Sequence, residues 1–135
     1  MASPPAPTLD TGLEWLVDAY GCSPEALRDP AALGRVFSRA VEELGLHPLG
    51  APRFHAFPEP GGVTGLLMLS ESHLTCHTFP ERAFAAFNLY CCRPRPSWPW
   101  AARLAEILGA RRVNVRRVER PMSDTMAAGE GENRP

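Results

Sequence analysis

Short stretches in which apolar and polar residues alternate recur along this chain, and that period of two predicts β-strands. The clearest stretch is residues 13–20, where Leu13, Trp15 and Val17 fall on one face. Further extended segments are predicted where alternation or a short apolar run lies between turns rich in glycine and proline. These segments are residues 47–57, 63–70, 74–79, 83–92 and 111–118.

Two segments have the three- and four-residue apolar spacing of an amphipathic helix. Either Ser23 or Asp29 can cap the first helix, and Gly45 ends it. Its apolar face comprises Leu33, Val36, Phe37, Ala40, Val41 and Leu44. Ser97 is the predicted N-cap of the second helix, which runs to Gly109.

The order of these elements, β-α-β-β-β-α-β, predicts an α+β two-layer sandwich in which two helices cover one face of an antiparallel sheet. The pattern leaves open whether the extended pieces within residues 63–92 are fused or split. One domain is expected over residues 13–120, with a flexible leader at 1–12 and a flexible tail at 121–135. The other face of the sheet must be solvated or covered, and a second copy of the chain is a reasonable cover.

Composition narrows the range of functions. The chain has 135 residues, of which 44% are hydrophobic, and a net charge of −1. A balanced charge gives no overall attraction to nucleic acid or to an anionic membrane, and no apolar run is long enough to span a bilayer. The four cysteines form no C-x-x-C pair, so a zinc site has little support. Free thiols and the lack of a signal segment make the cytoplasm the expected location.

The chain contains fourteen arginines and no lysine. Without lysine it cannot hold pyridoxal phosphate as an internal Schiff base. If the protein performs amine–carbonyl chemistry, the carbonyl must therefore come from the backbone, and a serine at a self-cleaving peptide bond can supply one.

Residues 71–81 concentrate the reactive side chains. They contain two carboxylates, two imidazoles, a thiol and the hydroxyl of Ser72. A serine hydroxyl can attack its own preceding carbonyl where the peptide is strained and a base is near, which converts the amide to an ester. Loss of the serine α-proton then expels the carboxylate of Glu71 and leaves dehydroalanine, and hydrolysis gives a pyruvoyl group at position 72.

The segment Glu-Ser-His-Leu-Thr-x-His-Thr-x-Pro-Glu at 71–81, with Gly-Val-Thr-Gly at 62–65 and the run at 84–92, resembles the prokaryotic S-adenosylmethionine decarboxylase proenzymes. Weaker similarity extends over residues 13–118. The resemblance implies a pyruvoyl-dependent decarboxylase that processes itself between Glu71 and Ser72.

The resemblance also implies roles for individual residues. Ser72 would become the covalent pyruvoyl cofactor that forms a Schiff base with the substrate, and Glu71 would end the N-terminal fragment. His77 matches the histidine that accepts a proton during processing, and Thr64 matches a serine that supports it. Cys92 matches the cysteine that returns a proton to the substrate carbon, since the spacing from Ser72 favours it over the preceding cysteine. No metal is implied.

Two further residues would bind S-adenosylmethionine: Phe57 would stack on the adenine, and Glu81 would hold the ribose hydroxyls. The product would be the aminopropyl donor for spermidine synthesis. A homodimer or higher homo-oligomer of processed chains is expected.

Two alternatives remain open. Asn88 stands where the family often has aspartate, and residues 12–15 differ from the usual start of the first strand, so a pyruvoyl-dependent arginine or ornithine decarboxylase of the same fold is the first alternative. The second is a non-catalytic paralogue, which the intact Glu71, Ser72, His77 and Cys92 disfavour.

Overall fold

A computed structural model describes residues 11–124, which form one six-stranded antiparallel sheet with three helices. The strands are β1 (Thr11–Tyr20), β2 (Arg53–Ala56), β3 (Val63–Met68), β4 (Ser72–Phe79), β5 (Phe84–Cys91) and β6 (Arg112–Pro121). The helices are α1 (Pro24–Leu27), α2 (Pro30–Leu44) and α3 (Trp100–Leu108), with a 3₁₀ turn at Pro80–Arg82. The strand order across the sheet is β2-β3-β4-β5-β1-β6.

The hydrophobic core lies between the helices and one face of the sheet, which confirms the predicted α+β two-layer sandwich. Alternate side chains of β1, β4 and β5 point into it, and the apolar stripes of α2 and α3 cover them. The largest fully buried side chains are Trp15, Trp100, Phe37, Leu13, Leu27, Leu33, Leu74, Leu89, Leu104 and Leu108. No helix within residues 11–124 is long and apolar enough to cross a membrane.

Both predicted N-caps of the first helix are used, because the helical segment divides in two. The Ser23 hydroxyl accepts a hydrogen bond from the Ala26 N–H in α1, and the Asp29 carboxylate accepts one from the Ala31 N–H in α2. Gly45 ends α2 with φ +64°, a left-handed conformation that glycine adopts without strain.

Several boundaries differ from the sequence-based prediction. The segment predicted as a strand over 47–57 is a strand only at Arg53–Ala56, and Pro48 forms an isolated bridge with Leu69. The strand predicted over 63–70 ends at Met68, because a tight turn follows it. The next strand, β4, begins directly after this turn at Ser72. Each of the six predicted extended segments contains a separate strand, so the pieces within residues 63–92, which the pattern left open, are split into β3, β4 and β5.

At the other helix, Ser97 is not the N-cap: Pro99 occupies that position, without a side-chain hydrogen bond. At the ends of the domain, Thr11 and Gly12 belong to β1 rather than to the predicted leader, and β6 continues to Pro121. The rest of the predicted leader and the predicted tail from residue 125 onward lie outside the described residues.

The second face of the sheet is not covered by any element of residues 11–124. Side chains that alternate with the core residues point out from it, including Leu66 and Met68, which are 54% and 66% exposed. A shallow depression of about 490 Å³ lies on this face and crosses from β3 to β6. The two predicted processing residues in these strands, Thr64 of β3 and His77 of β4, follow this outward alternation.

Candidate active site

Ser72 lies at the first position of β4, directly after a hairpin turn closed by a hydrogen bond from the Leu69 N–H to the Ser72 carbonyl, at 2.9 Å. Its φ is +155°, a conformation that residues other than glycine rarely adopt. Such backbone strain typically costs about 1–3 kcal/mol, and the surrounding structure must enforce it. The candidate scissile peptide therefore precedes a strained residue.

Ser72 would attack the carbonyl carbon of Glu71. The oxygen of that carbonyl accepts a hydrogen bond from the Cys92 N–H at 2.8 Å. A fixed backbone donor on this oxygen polarises the carbonyl and stabilises negative charge that develops on it. The register of the sheet sets the contact, because Ser72 pairs with Cys91 at the end of β5.

The two adjacent cysteines have different environments. Cys91 is fully buried on the core side, and burial raises the pKa of its thiol to about 11. Cys92 is half-buried and lies past the end of β5, next to the Glu71 carbonyl. Of the pair, Cys92 is therefore the one that substrate at position 72 can approach.

A histidine contacts the Ser72 hydroxyl, but it is His73. The Ser72 Oγ lies 3.2 Å from His73 Nδ1, so the hydroxyl can donate to the ring nitrogen. The imidazole stacks on the Tyr90 ring with centroids 5.9 Å apart, which fixes its orientation. The sequence placed His73 beside Ser72 without assigning it a role.

The Glu71 residue is buried, at 6% exposure, and its side chain points away from the uncovered face. Its Oε2 accepts from Arg95 Nη2 at 2.6 Å and lies 2.6 Å from His47 Nδ1, and its Oε1 accepts from the His47 N–H at 3.0 Å. Burial alone would raise the pKa of this carboxyl. The His47 hydrogen bonds and the Arg95 charge outweigh burial, and the pKa is lowered.

His77 lies on the uncovered face, paired across the sheet with Thr64 of β3. Its Nδ1 is 2.6 Å from the Thr64 hydroxyl oxygen, so the two predicted processing residues form one hydrogen-bonded pair. His77 follows Ser72 by five residues along an unbroken register, which separates the two by about 16 Å at the rise of a β-strand. No bulge between positions 72 and 77 of β4 brings them together.

The two predicted substrate-binding residues lie beside His77. Phe57 and Glu81 line the same cavity of about 300 Å³, together with His77, Phe79 and Gly62. The Phe57 ring is 44% exposed, and its centroid lies 5.9 Å from that of His77.

Gly62 allows the close approach of strands beside this cavity. A Cβ at this position would lie 2.4 Å from the Thr78 carbonyl oxygen, which is closer than a Cβ can approach another atom without a shift of the structure. A glycine at position 62 is therefore a steric requirement of the fold.

Asn88 and Glu14 lie on the uncovered face, between Ser72 at one end of β4 and the pair of His77 and Thr64 at the other. Asn88 Nδ2 donates to Glu14 Oε2 at 2.7 Å, and Arg120 Nη1 donates to Glu14 Oε1 at 2.7 Å. The Asn88 hydrogen bond is the main cause that lowers the pKa of Glu14, against its burial, and Arg120 and His73 add to it.

The predicted site residues therefore fall into two clusters. The cleavage cluster contains Glu71, Ser72 and Cys92 at one end of β4, and the binding cluster contains Thr64, His77, Phe57 and Glu81 at the other. Sequence reasoning missed the contacts of His73 and the partners of Glu71. For His73 the signal was its adjacency to Ser72, whereas Arg95 and His47 are each 24 residues from Glu71 and gave none.

Comparison with known proteins gives matches over most of the described residues. The family model described as S-adenosylmethionine decarboxylase matches residues 13–121. The S-adenosylmethionine decarboxylase proenzyme of Moorella thermoacetica is 37% identical over 111 residues, which cover 81% of this chain and 86% of that protein.

The proenzyme of Clostridium tetani is 32% identical over 124 residues, covering 90% of this chain and 96% of that protein. The chain matches a smaller share, 60%, of the Pyrococcus furiosus proenzyme, at 38% identity over 85 residues.

The adenosylmethionine decarboxylase structure from Aquifex aeolicus superposes with a TM-score of 0.67 at 24% identity, and the match covers 92% of this chain and 98% of that one. This likeness shows that the fold is shared. Together with the family match over residues 13–121, it leads to one conclusion: the chain belongs to the S-adenosylmethionine decarboxylase family.

Proposed function

We propose that the protein is a pyruvoyl-dependent S-adenosylmethionine decarboxylase that cuts its own backbone between Glu71 and Ser72. The observation that carries the proposal is the arrangement around Ser72. A residue with φ +155° has a histidine nitrogen 3.2 Å from its hydroxyl and a backbone donor 2.8 Å from the carbonyl oxygen before it. These are the strain, the base and the oxyanion donor that attack on a peptide carbonyl requires.

In the first step the Ser72 oxygen bonds to the Glu71 carbonyl carbon, and the amide C–N bond breaks. His73 takes the hydroxyl proton, which ends on the released nitrogen of Ser72, so the amide becomes an ester. Negative charge on the Glu71 oxygen in the transition state is stabilised by the Cys92 N–H.

In the second step a base removes the Ser72 α-proton, and the Cβ–Oγ bond breaks. The electron pair leaves with the Glu71 carboxylate, and dehydroalanine remains at position 72. Water then hydrolyses the dehydroalanine, which releases ammonia and leaves the pyruvoyl group. That group supplies an electrophilic ketone and an electron sink for decarboxylation of a bound amino acid.

Other residues of the chain bind substrate and move protons. The cavity formed by Phe57 and Glu81 supports the proposed adenine and ribose contacts, because it combines an exposed aromatic ring with a carboxylate. Cys92 is half-buried next to position 72, which supports its proposed role as the acid that returns a proton to the substrate carbon. Decarboxylated S-adenosylmethionine would serve as the aminopropyl donor for spermidine synthesis. The cytoplasmic location stays a prediction.

A homodimer would complete the site. The His77 imidazole lies about 16 Å along β4 from Ser72 of the same chain, too far for proton transfer. His73, which contacts the Ser72 hydroxyl, and His77 both lie on the uncovered sheet face, which also carries the exposed apolar side chains of Leu66 and Met68. A second copy packed face to face by a two-fold axis would set the binding cluster of each chain beside the cleavage cluster of the other. The base for the second step would then be His77 of the partner subunit.

Mass spectrometry of the purified 14.8 kDa chain tests the cleavage, since it should convert to two fragments that part after Glu71. The C-terminal fragment, which begins at position 72, should react with ketone reagents. Ser72→Ala should remain one chain, and Ser72→Cys serves as a control that keeps a nucleophile. A wild-type chain that stays intact while it decarboxylates an amino acid contradicts the proposal.

Carbon dioxide release from S-adenosylmethionine, arginine and ornithine, measured in parallel, tests the substrate. Turnover of arginine or ornithine with none of the sulfonium substrate would favour the first alternative. No turnover of any of the three, with cleavage absent, would favour the non-catalytic paralogue.

A further inference from the structure

The buried side-chain carboxylate of Glu71 has no part in the steps above, in which only the backbone carbonyl of Glu71 reacts. It nevertheless belongs to the residue that self-cleavage turns into a chain end. Its side chain is 7% exposed, and it lies 2.6 Å from the guanidinium of Arg95. A carboxylate this buried is stable in its charged form only with a counter-charge or several hydrogen bonds. Self-cleavage breaks the peptide bond directly beside this ion pair of Glu71 and Arg95.

Arg95 is held in place from its other side. Its Nη1 donates to the Leu44 carbonyl at 3.1 Å and to the Gly45 carbonyl at 3.4 Å, at the C-terminal end of α2. These carbonyls carry partial negative charge at a helix end and favour a cation. The guanidinium is therefore fixed between a helix end and the cleavage turn, and it need not reorganise during the reaction.

Expulsion of the Glu71 α-carboxylate creates a second negative charge on a residue whose side chain is already ionised. Two like charges a few ångströms apart in a buried place repel each other strongly. Arg95 offsets the first of these charges. We propose that Arg95 is a positioning residue for self-cleavage, which favours the elimination step by neutralising the Glu71 side chain. This inference rests on the proposed cleavage at Ser72.

His47 does not replace Arg95 in this role. Its imidazole is 72% exposed and contacts the same Oε2 atom at 2.6 Å, where a neutral ring can donate a hydrogen bond without adding charge. Arginine stays protonated throughout the working pH range. Within residues 11–124, Arg95 is the one arginine that forms a salt bridge with Glu71.

The test compares Arg95→Met with Arg93→Met, which removes an exposed arginine from the same loop. Cleavage is followed by mass spectrometry after synthesis in a cell-free system, with and without hydroxylamine, which cuts esters but not amides. We expect Arg95→Met to slow cleavage by about tenfold or more and to accumulate the ester, because the elimination is the slowed step. Arg93→Met should match the wild type. A wild-type rate for Arg95→Met, or slow cleavage without ester, would overturn the inference.

A second background covers the outcome in which Arg95→Met fails to fold. The double variant Glu71→Gln/Arg95→Met leaves no unpaired buried charge, so it should fold. With glutamine at 71 the repulsion is absent, and removal of Arg95 should change the cleavage rate by less than about twofold. A tenfold loss relative to Glu71→Gln alone would contradict the role in charge neutralisation. An uncut wild type would instead refute the proposed function itself, which separates the two failures.

Discussion

Complementation between two inactive variants tests whether the site is shared between chains. Ser72→Ala lacks the nucleophile, and His77→Ala lacks the base of the binding cluster. If the two clusters combine across a dimer, a mixed dimer has one site with both residues intact and one with neither. If both residues act within one chain, the mixed dimer has no intact site.

The expected size of the effect follows from the geometry and from pairing statistics. The separation of about 16 Å between positions 72 and 77 allows no direct proton transfer within a chain, so His77→Ala alone should remain essentially uncut. With equal amounts and random pairing, half of the His77→Ala chains face a Ser72→Ala partner, so about 50% of them should be cut. Decarboxylation should reach about 25% of the wild-type rate, because one site in four is intact.

The assay co-expresses the two variants with tags of different mass and measures cleavage of the His77→Ala chain by mass spectrometry. Native mass spectrometry confirms that mixed dimers are present. Thr64→Val paired with Ser72→Ala is a matched control, since it alters the partner of His77 in the same cluster and should complement in the same way. Mixed dimers that stay uncut, or a His77→Ala chain that cleaves fully alone, would refute the shared site.

Three further predictions concern packing, pH and thiol chemistry. Gly62→Ala should destabilise the fold by about 1–3 kcal/mol and lower its melting temperature, because the new Cβ would lie 2.4 Å from a backbone carbonyl oxygen. Gly34→Ala in α2 has room for a Cβ and should be neutral or stabilising, so equal melting temperatures for the two variants would contradict the packing. In uncleavable Ser72→Ala, the lowered pKa of Glu71 means that its stabilising contribution is present above the ordinary carboxyl pKa and is lost as pH falls through the folded value. Urea unfolding between pH 7 and pH 3 should therefore show a steeper loss for Ser72→Ala than for Ser72→Ala/Glu71→Gln, and parallel curves would refute this. Iodoacetamide should modify Cys92 first, since the other three thiols are buried and burial raises their pKa to about 11 or 12; a different first site of modification, mapped by peptide mass, would count against the assigned exposure.

Local patterns were sufficient for most of the architecture. The alternation of Leu13, Trp15 and Val17 is that of β1, and the apolar stripe that ends at Gly45 is that of α2. The turn before Ser72 was missed because an apolar run leads up to it without a glycine or proline. What makes it a turn is the pairing of β3 with β4 and of β4 with β5, which a local pattern does not contain.

The candidate site shows the same limit more sharply. Motif resemblance was enough to select Ser72, Cys92 and His77, but a motif does not give the distance between these residues in the fold. Only the continuous register shows that no bulge brings positions 72 and 77 together. The contact of Glu71 with Arg95 joins residues 24 positions apart across a strand and a loop, so no spacing rule in the sequence could have indicated it.

Because the two clusters are separate in one chain, packing on the uncovered face would control when the reactive pyruvoyl group forms. A pyruvoyl ketone reacts with any accessible amine, so an unassembled chain that formed one would expose a reactive carbonyl. In the proposed dimer, the base that completes cleavage arrives with the cavity that contains Phe57 and Glu81. The same packing step that permits the electrophile to form therefore also encloses it in the proposed substrate site. Strain at Ser72 is present in the single chain, but strain alone does not remove the α-proton. On this argument the chain is a stable precursor until it pairs, and assembly rather than folding controls its activation.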